Sequence, residues 1–238
     1  MNDKIVKILS NWKFQTMIFF IFFVVGIFWH AWDVTYPYMV ILTPFVLLIS
    51  GLWAIYRGLS YRYMIVWIII AYVVTFLLEV LGSSTGFIFG PYFYGNTLGL
   101  MFLDVPIVIG LNWVFIIFSL VLFSEWLVKE RLKVEIDKKL EIMMIAFLTA
   151  CFATIFDFIL EPAAVGLSYW TWTLTSDPYN IPVQNYIAWF IISFIFALTY
   201  LIIPKDKRIK LGESPHSPWF VIIQVIFFFA IRIVLIFK

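Results

Sequence analysis

The chain has 238 residues, 64% of them hydrophobic, 21% aromatic and only 13% charged, about half the ~25% charge of soluble domains, and its mean hydropathy is +1.03. These values exclude a disordered chain and a nucleic-acid-binding protein, and a single cysteine, Cys151, excludes a disulfide scaffold. The net charge of +2 says little; where the charges sit says much more.

A helix needs roughly 20 apolar residues to cross a bilayer, and seven such runs occur, so the chain reads as all-α: one polytopic membrane bundle over residues 1–238. The first run, Phe14–Trp32, follows Lys4, Lys7 and Lys13. That basic start resembles a signal peptide, but the run is long, aromatic and without a small-x-small cleavage site, so it is expected to be a retained anchor. The second span is Pro37–Tyr56. Arg57 and Arg62 separate it from the third, Tyr63–Leu81, which carries Glu79 near its end. Gly82–Asp104 then mixes Gly, Pro and Asn with aromatics. It is too apolar for a water-exposed loop and too broken for a span, so it should pack at the membrane interface, buried in protein or lining a cavity.

The fourth span, Val105–Val128, carries Asn112 and Trp113. After Lys129, Arg131, Lys133, Lys138 and Lys139 comes the fifth, Leu140–Leu160, with Asp157 and Glu161 four residues apart and so on one helical face. Pro162 is expected to stop that helix, because its ring biases the preceding residue away from the α region. A second aromatic segment, Glu161–Pro182, leads to the sixth span, Val183–Ile203, which opens with Asn185 and Trp189. Lys205, Lys207, Arg208 and Lys210 precede the seventh, Pro218–Phe237, which contains Arg232.

Fourteen of the 16 Lys and Arg residues fall on alternate connections, Arg232 and Lys238 being the exceptions. The positive-inside rule therefore predicts a cytoplasmic N-terminus and an outer C-terminus in the cell membrane. Glu125, Glu130, Glu135, Asp137, Glu141, Asp206 and Glu213 mingle with the basic residues and read as solvated charge. Glu79, Asp104, Asp157, Glu161, Asp177 and Asp33 instead gather toward the outer side, with Arg232 at a similar depth. Arg232 can lock two helices by pairing with one acid, but one cation cannot neutralise so many. A polar chamber in the outer half is the expectation, in which a poorly solvated carboxyl keeps a proton to donate. Asn112, Trp113, Asn185 and Trp189 can serve helix packing or that chamber. Tyr92, Tyr94, Tyr169, Trp170, Trp172 and Tyr179 can form an interfacial belt or its walls, and aromatic faces stabilise cations.

Several chemistries lack their residues. His30 and His216 cannot build a di-iron site, and no dinucleotide or phosphate-binding loop and no Ser/His/Asp triad is present. No lysine lies inside the seventh span to carry a retinal. No metal and no cofactor are expected.

The run Glu79–Trp113, E-x-x-G-x-x-T-G-x-x-F-G-x-Y-x-Y followed by D-V-P and N-W, and the run Asp157–Trp189, D-x-x-x-E-P-x-A-V, Y-W-x-W and Y-x-I-P-x-x-N-Y-x-x-W, resemble the carotenoid biosynthesis membrane-protein family. That family includes the CruF-type carotenoid 1,2-hydratases and the archaeal bisanhydrobacterioruberin hydratases. The resemblance implies cofactor-free addition of water to the terminal C1–C2 double bond of an acyclic carotenoid dissolved in the bilayer. An acid protonates C2, aromatic faces stabilise the tertiary cation at C1, and a carboxylate or Asn positions the water. It implies Asp157, Glu161, Glu79 and Asp104 as the catalytic carboxyls, divided between protonating the alkene and positioning water. Thr85, Phe89, Tyr92, Tyr94, Asn112, Trp113, Trp170, Trp172, Asn185 and Trp189 would bind substrate, and other carotenoid-pathway enzymes are implied partners. Two alternatives stay open: a membrane carotenoid cyclase, in which an internal double bond captures the cation, and a proton-coupled transporter.

Overall fold

A computed structural model describes residues 10–133, 135–177 and 179–237; Lys4, Lys7 and Lys238 lie outside them. Among the described residues seven helices are long and apolar enough to cross a membrane: α1 Trp12–Ala31, α2 Tyr36–Ile55, α3 Arg62–Thr85, α4 Ile107–Trp126, α5 Lys138–Gly166, α6 Val183–Ile202 and α7 Ser217–Ile236. The chain is an all-α, multi-pass bundle. Four short strands interrupt it: β1 Tyr92–Tyr94, β2 Met101–Phe102, β3 Val105–Pro106 and β4 Trp170–Trp172.

Helix α4 is the axis. Val114, Phe115, Ile116, Ile117 and Phe118 are all completely buried, and five consecutive residues cover every face of a helix. Helices α1 to α3 turn rows of exposed Phe, Ile, Leu and Val outward, the surface a bilayer solvates. At one end of the bundle the basic connections meet. The Arg208 guanidinium grips Glu125 with two contacts of 2.5 and 2.8 Å, and Lys129 pairs with Glu125 and, at 3.3 Å, with Glu141. The expectation of solvated charge is therefore wrong for this pair: Arg208 is 2% exposed and Glu125 9%. A bidentate fork satisfies a buried carboxylate in a way that water otherwise would.

Two helices outrun their expected ends. Helix α3 passes Leu81 to Thr85 and closes at Gly86, whose φ of +68° puts it in the left-handed region glycine tolerates and whose N–H donates to the Gly82 carbonyl. Helix α5 runs through Pro162 to Gly166, so Pro162 does not stop it. The proline removes one N–H, but the turn beyond it packs Ala163 and Ala164 at zero exposure. Continuing the helix keeps its remaining backbone groups bonded where no water is available.

At the opposite end the two aromatic segments are joined. β1 pairs antiparallel with β4, Tyr92 opposite Trp172 and Tyr94 opposite Trp170. Alternation along a strand sends both tyrosines and both tryptophans to one face, while Phe93 between them is exposed.

Candidate active site

Glu79 from α3 and Asp157 and Glu161 from α5 converge under that face, all three buried. Their partners are neutral dipoles. Glu79 Oε2 accepts from the Tyr92 and Tyr94 hydroxyls, each at 2.6 Å, and its Oε1 accepts from Trp113 Nε1, also at 2.6 Å. Glu161 Oε2 accepts from Trp170 Nε1 at 3.0 Å and Trp172 Nε1 at 2.9 Å. Asn185 Nδ2 bridges Glu161 Oε1 at 3.0 Å and Asp157 Oδ2 at 2.7 Å. Alone among the six carboxyl oxygens, Asp157 Oδ1 has no hydrogen-bond partner among the described residues.

The alternation of β1 and β4 explains how the sequence builds this. Two residues two apart on each strand supply the donors: hydroxyls to Glu79 and indoles to Glu161. Burial, with the Glu79 carboxyl beside them, holds the Tyr92 and Tyr94 phenols well above their ordinary range, so they remain donors. The Trp113 and Trp189 rings stack at 3.8 Å between centroids, and Tyr92 lies against Trp172 at 5.1 Å. Gly82 permits the approach of Phe89, because a Cβ there would sit 2.5 Å from its ring.

Glu79, Asp157, Glu161, Phe89, Tyr92, Tyr94, Asn112, Trp113, Trp170, Trp172, Asn185 and Trp189 line one cavity of about 40 Å³, completed by Ile109 and Leu160. Those last two carry no signal in the sequence beyond apolarity. Among the described residues no group of three or more His, Cys, Asp and Glu side chains is arranged to hold a metal ion.

Residues 35–238 match the family described as carotenoid biosynthesis protein. The chain belongs to that family. A curated relative, the bisanhydrobacterioruberin hydratase of Haloarcula japonica, is 31% identical over 124 residues, covering 52% of this chain and 40% of the relative. The chain thus matches about two fifths of the length of that protein. No solved structure matches.

Not every residue singled out by the family resemblance reaches the cavity. Asp104 is exposed at the tip between β2 and β3, with φ of +60°. Thr85 is exposed at the end of α3, where its Oγ1 accepts from Phe87 N at 3.1 Å. Tyr169 and Tyr179 are not among the walls, and Asp33 and Asp177 are exposed. Arg232 is also exposed, and none of the described carboxylates lies within ion-pair distance of it. The pairing with one outer acid, one of two readings of Arg232, does not form among the described residues; Arg232 instead lines a separate groove with Tyr186, Tyr179 and Asn180.

Proposed function

We propose that this carotenoid biosynthesis protein is a hydratase that adds water to the terminal C1–C2 double bond of an acyclic carotenoid, in the outer half of the membrane and without a cofactor. Family membership and the hydratase relative favour it, and one structural observation carries it: the count of donors on three buried carboxyls. Glu79 and Glu161 each accept three hydrogen bonds, an arrangement suited to the charged form, which only accepts. Asp157 accepts one, and its Oδ1 accepts none. That oxygen has room for a proton, and the aromatic cavity gives the proton a destination.

On this reading the Asp157 hydroxyl protonates C2 as the π bond breaks, leaving the positive charge on tertiary C1. The anionic Glu79 and Glu161 and the stacked Trp113 and Trp189 faces stabilise that charge. Water forms the C1–O bond, and its surplus proton returns to the Asp157 carboxylate. The net change is one water added, with the acid regenerated.

The test is expression in a lycopene-producing host, followed by mass spectrometry of the pigments. Wild type is expected to yield carotenoid heavier by one or two waters. Asp157→Asn keeps an oxygen to accept from Asn185 but has no carboxyl proton, so it is expected to lose ~10²–10⁴-fold in rate, the usual contribution of a general acid. Pigments of unchanged composition in the wild-type host refute the reading. Cyclic pigment of unchanged mass would assign the protein to the cyclases instead.

A further inference from the structure

We infer that Asn112 holds the water that captures the cation, and so decides whether the protonated substrate becomes an alcohol. The inference rests on the hydratase reading and assigns a role within it. Asn112 sits on α4 one residue before Trp113, whose indole is committed to Glu79. Its Oδ1 is buried without a hydrogen-bond partner among the described residues. A buried carbonyl oxygen left unpaired forfeits the hydrogen bonds it had in water, so such a group calls for a donor. The other unpartnered oxygen in this cavity belongs to Asp157, which is 0% exposed. Buried unpartnered atoms occur on Ser119, Ser124, Ser193 and Gln224 as well, but none of these residues lines the cavity.

The cavity volume, about 40 Å³, exceeds the ~10–15 Å³ that one water requires. It is far below the roughly 300 Å³ at which organic ligand pockets begin. The cavity that both residues line is thus scaled to water, and the carotenoid end must enter by displacing aromatic wall. A water here donates one hydrogen to Asn112 Oδ1. Its other hydrogen lies toward Asp157, which takes that proton after giving up its own. Its lone pair is left for C1. Glu79 and Glu161 are the weaker competitors for it, since each already accepts three hydrogen bonds from protein donors whereas Asn112 Oδ1 accepts none.

Removing this acceptor should leave protonation intact and divert the cation. Without water in place, a carbon next to C1 returns a proton to the Asp157 carboxylate, and an alkene re-forms with the mass of the starting material. In deuterated buffer the acid carries deuterium, so each such futile cycle can leave deuterium on carbon in unhydrated pigment.

The experiment uses the full-length protein in lipid nanodiscs, with lycopene as substrate, in D2O buffer. Alcohol and carbon-bound deuterium are scored separately by mass spectrometry. Wild type is expected to form deuterated alcohol. Asn112→Val is expected to form at least tenfold less alcohol while unhydrated carotenoid gains deuterium. Asn112→Ser, which restores a small oxygen acceptor, should recover part of the alcohol. Alcohol from Asn112→Val at the wild-type rate overturns the inference. So does a parallel loss of alcohol and deuterium in both variants, which would mark Asn112 as a merely structural residue. Wild type that produces neither alcohol nor deuterium overturns the hydratase reading itself, a distinguishable result.

Discussion

On the reading that Glu79 is ionised, Glu79→Gln removes one charge and keeps the shape, yet the donor count makes it a severe change. The carboxylate receives two hydroxyls on Oε2 and one indole N–H on Oε1, all at 2.6 Å. An amide has one acceptor oxygen. With that oxygen toward the tyrosines, its NH2 faces the Trp113 N–H, donor against donor. With the amide turned over, two phenols lose their acceptor. The first arrangement is the cheaper and forfeits one hydrogen bond to a charged group, about 1.5–3 kcal/mol. For a chain of this size that lowers the midpoint of thermal unfolding by about 5–10 °C. The assay is a double-mutant cycle in detergent, followed by intrinsic fluorescence. Trp113→Phe alone should cost more, since it deletes the same bond and part of the buried ring stacked on Trp189. Added to Glu79→Gln it should cost less than it does alone, by the value of that one bond, because the indole has already lost its acceptor. Strict additivity of the two changes, or a Glu79→Gln protein as stable as wild type, would refute the donor-count argument on which the choice of Asp157 as the acid rests.

At the basic end, Arg208→Met leaves Glu125 buried with one of its two cations, and breaking a buried pair costs about 3–5 kcal/mol; a midpoint drop on the order of 10 °C in thermal unfolding is expected. His216 is buried with Nε2 donating to the Trp53 carbonyl at 2.8 Å, and burial lowers its pKa from 6.5 to about 4. The unfolded chain therefore binds the proton first, so stability should be full above pH 6.5 and fall as pH drops toward 4. Chemical denaturation across that window should show a slope that His216→Gln flattens. Gly82→Ala puts a methyl 2.5 Å from the Phe89 ring, overpacking worth about 1–3 kcal/mol; it should reduce both stability and turnover, and Phe89→Leu in the same chain should relieve the loss.

The bundle was legible because apolar runs and alternating basic connections obey two strong constraints of the bilayer, and five of the seven spans match the helices to within two residues at both ends. The spacing of Asp157 and Glu161 put them on one helical face, which holds because α5 continues through Pro162. That continuation was not legible: local bias reads a proline as a stop, and only packing by Ala163 and Ala164 overrides it. The pairing of β1 with β4 was present as Y-x-Y and W-x-W, a period of two, but three-residue strands 78 positions apart leave no local trace of their partner. Arg232 misled for the same kind of reason. Depth along a helix follows from counting residues, whereas the side it faces depends on how α7 rotates against its neighbours.

The two acid clusters are held in opposite ways, and that contrast tests the proposed chemistry. Glu125 is neutralised by Arg208 and Lys129, a solution suited to fixing structure. Glu79, Asp157 and Glu161 are held by hydroxyl, indole and amide donors, which serve every one of their oxygens but Asp157 Oδ1 without adding positive charge. A guanidinium in this cavity would stabilise the acids equally well and would repel a carbocation. Leu160, 4% exposed and part of the cavity wall, is the place to introduce one charge. In Leu160→Lys an ammonium about 5 Å from C1 would raise the energy of the cation by about 3 kcal/mol at an effective dielectric of 20, a slowing of a few hundred-fold. Leu160→Met, of similar bulk and no charge, should stay within about tenfold of wild type, consistent with the small cost of volume-conserving exchanges. Equal turnover by the lysine and methionine proteins, measured as alcohol formed per protein in nanodiscs, would mean that no positive charge develops in this cavity, and the protonation mechanism would fall with it.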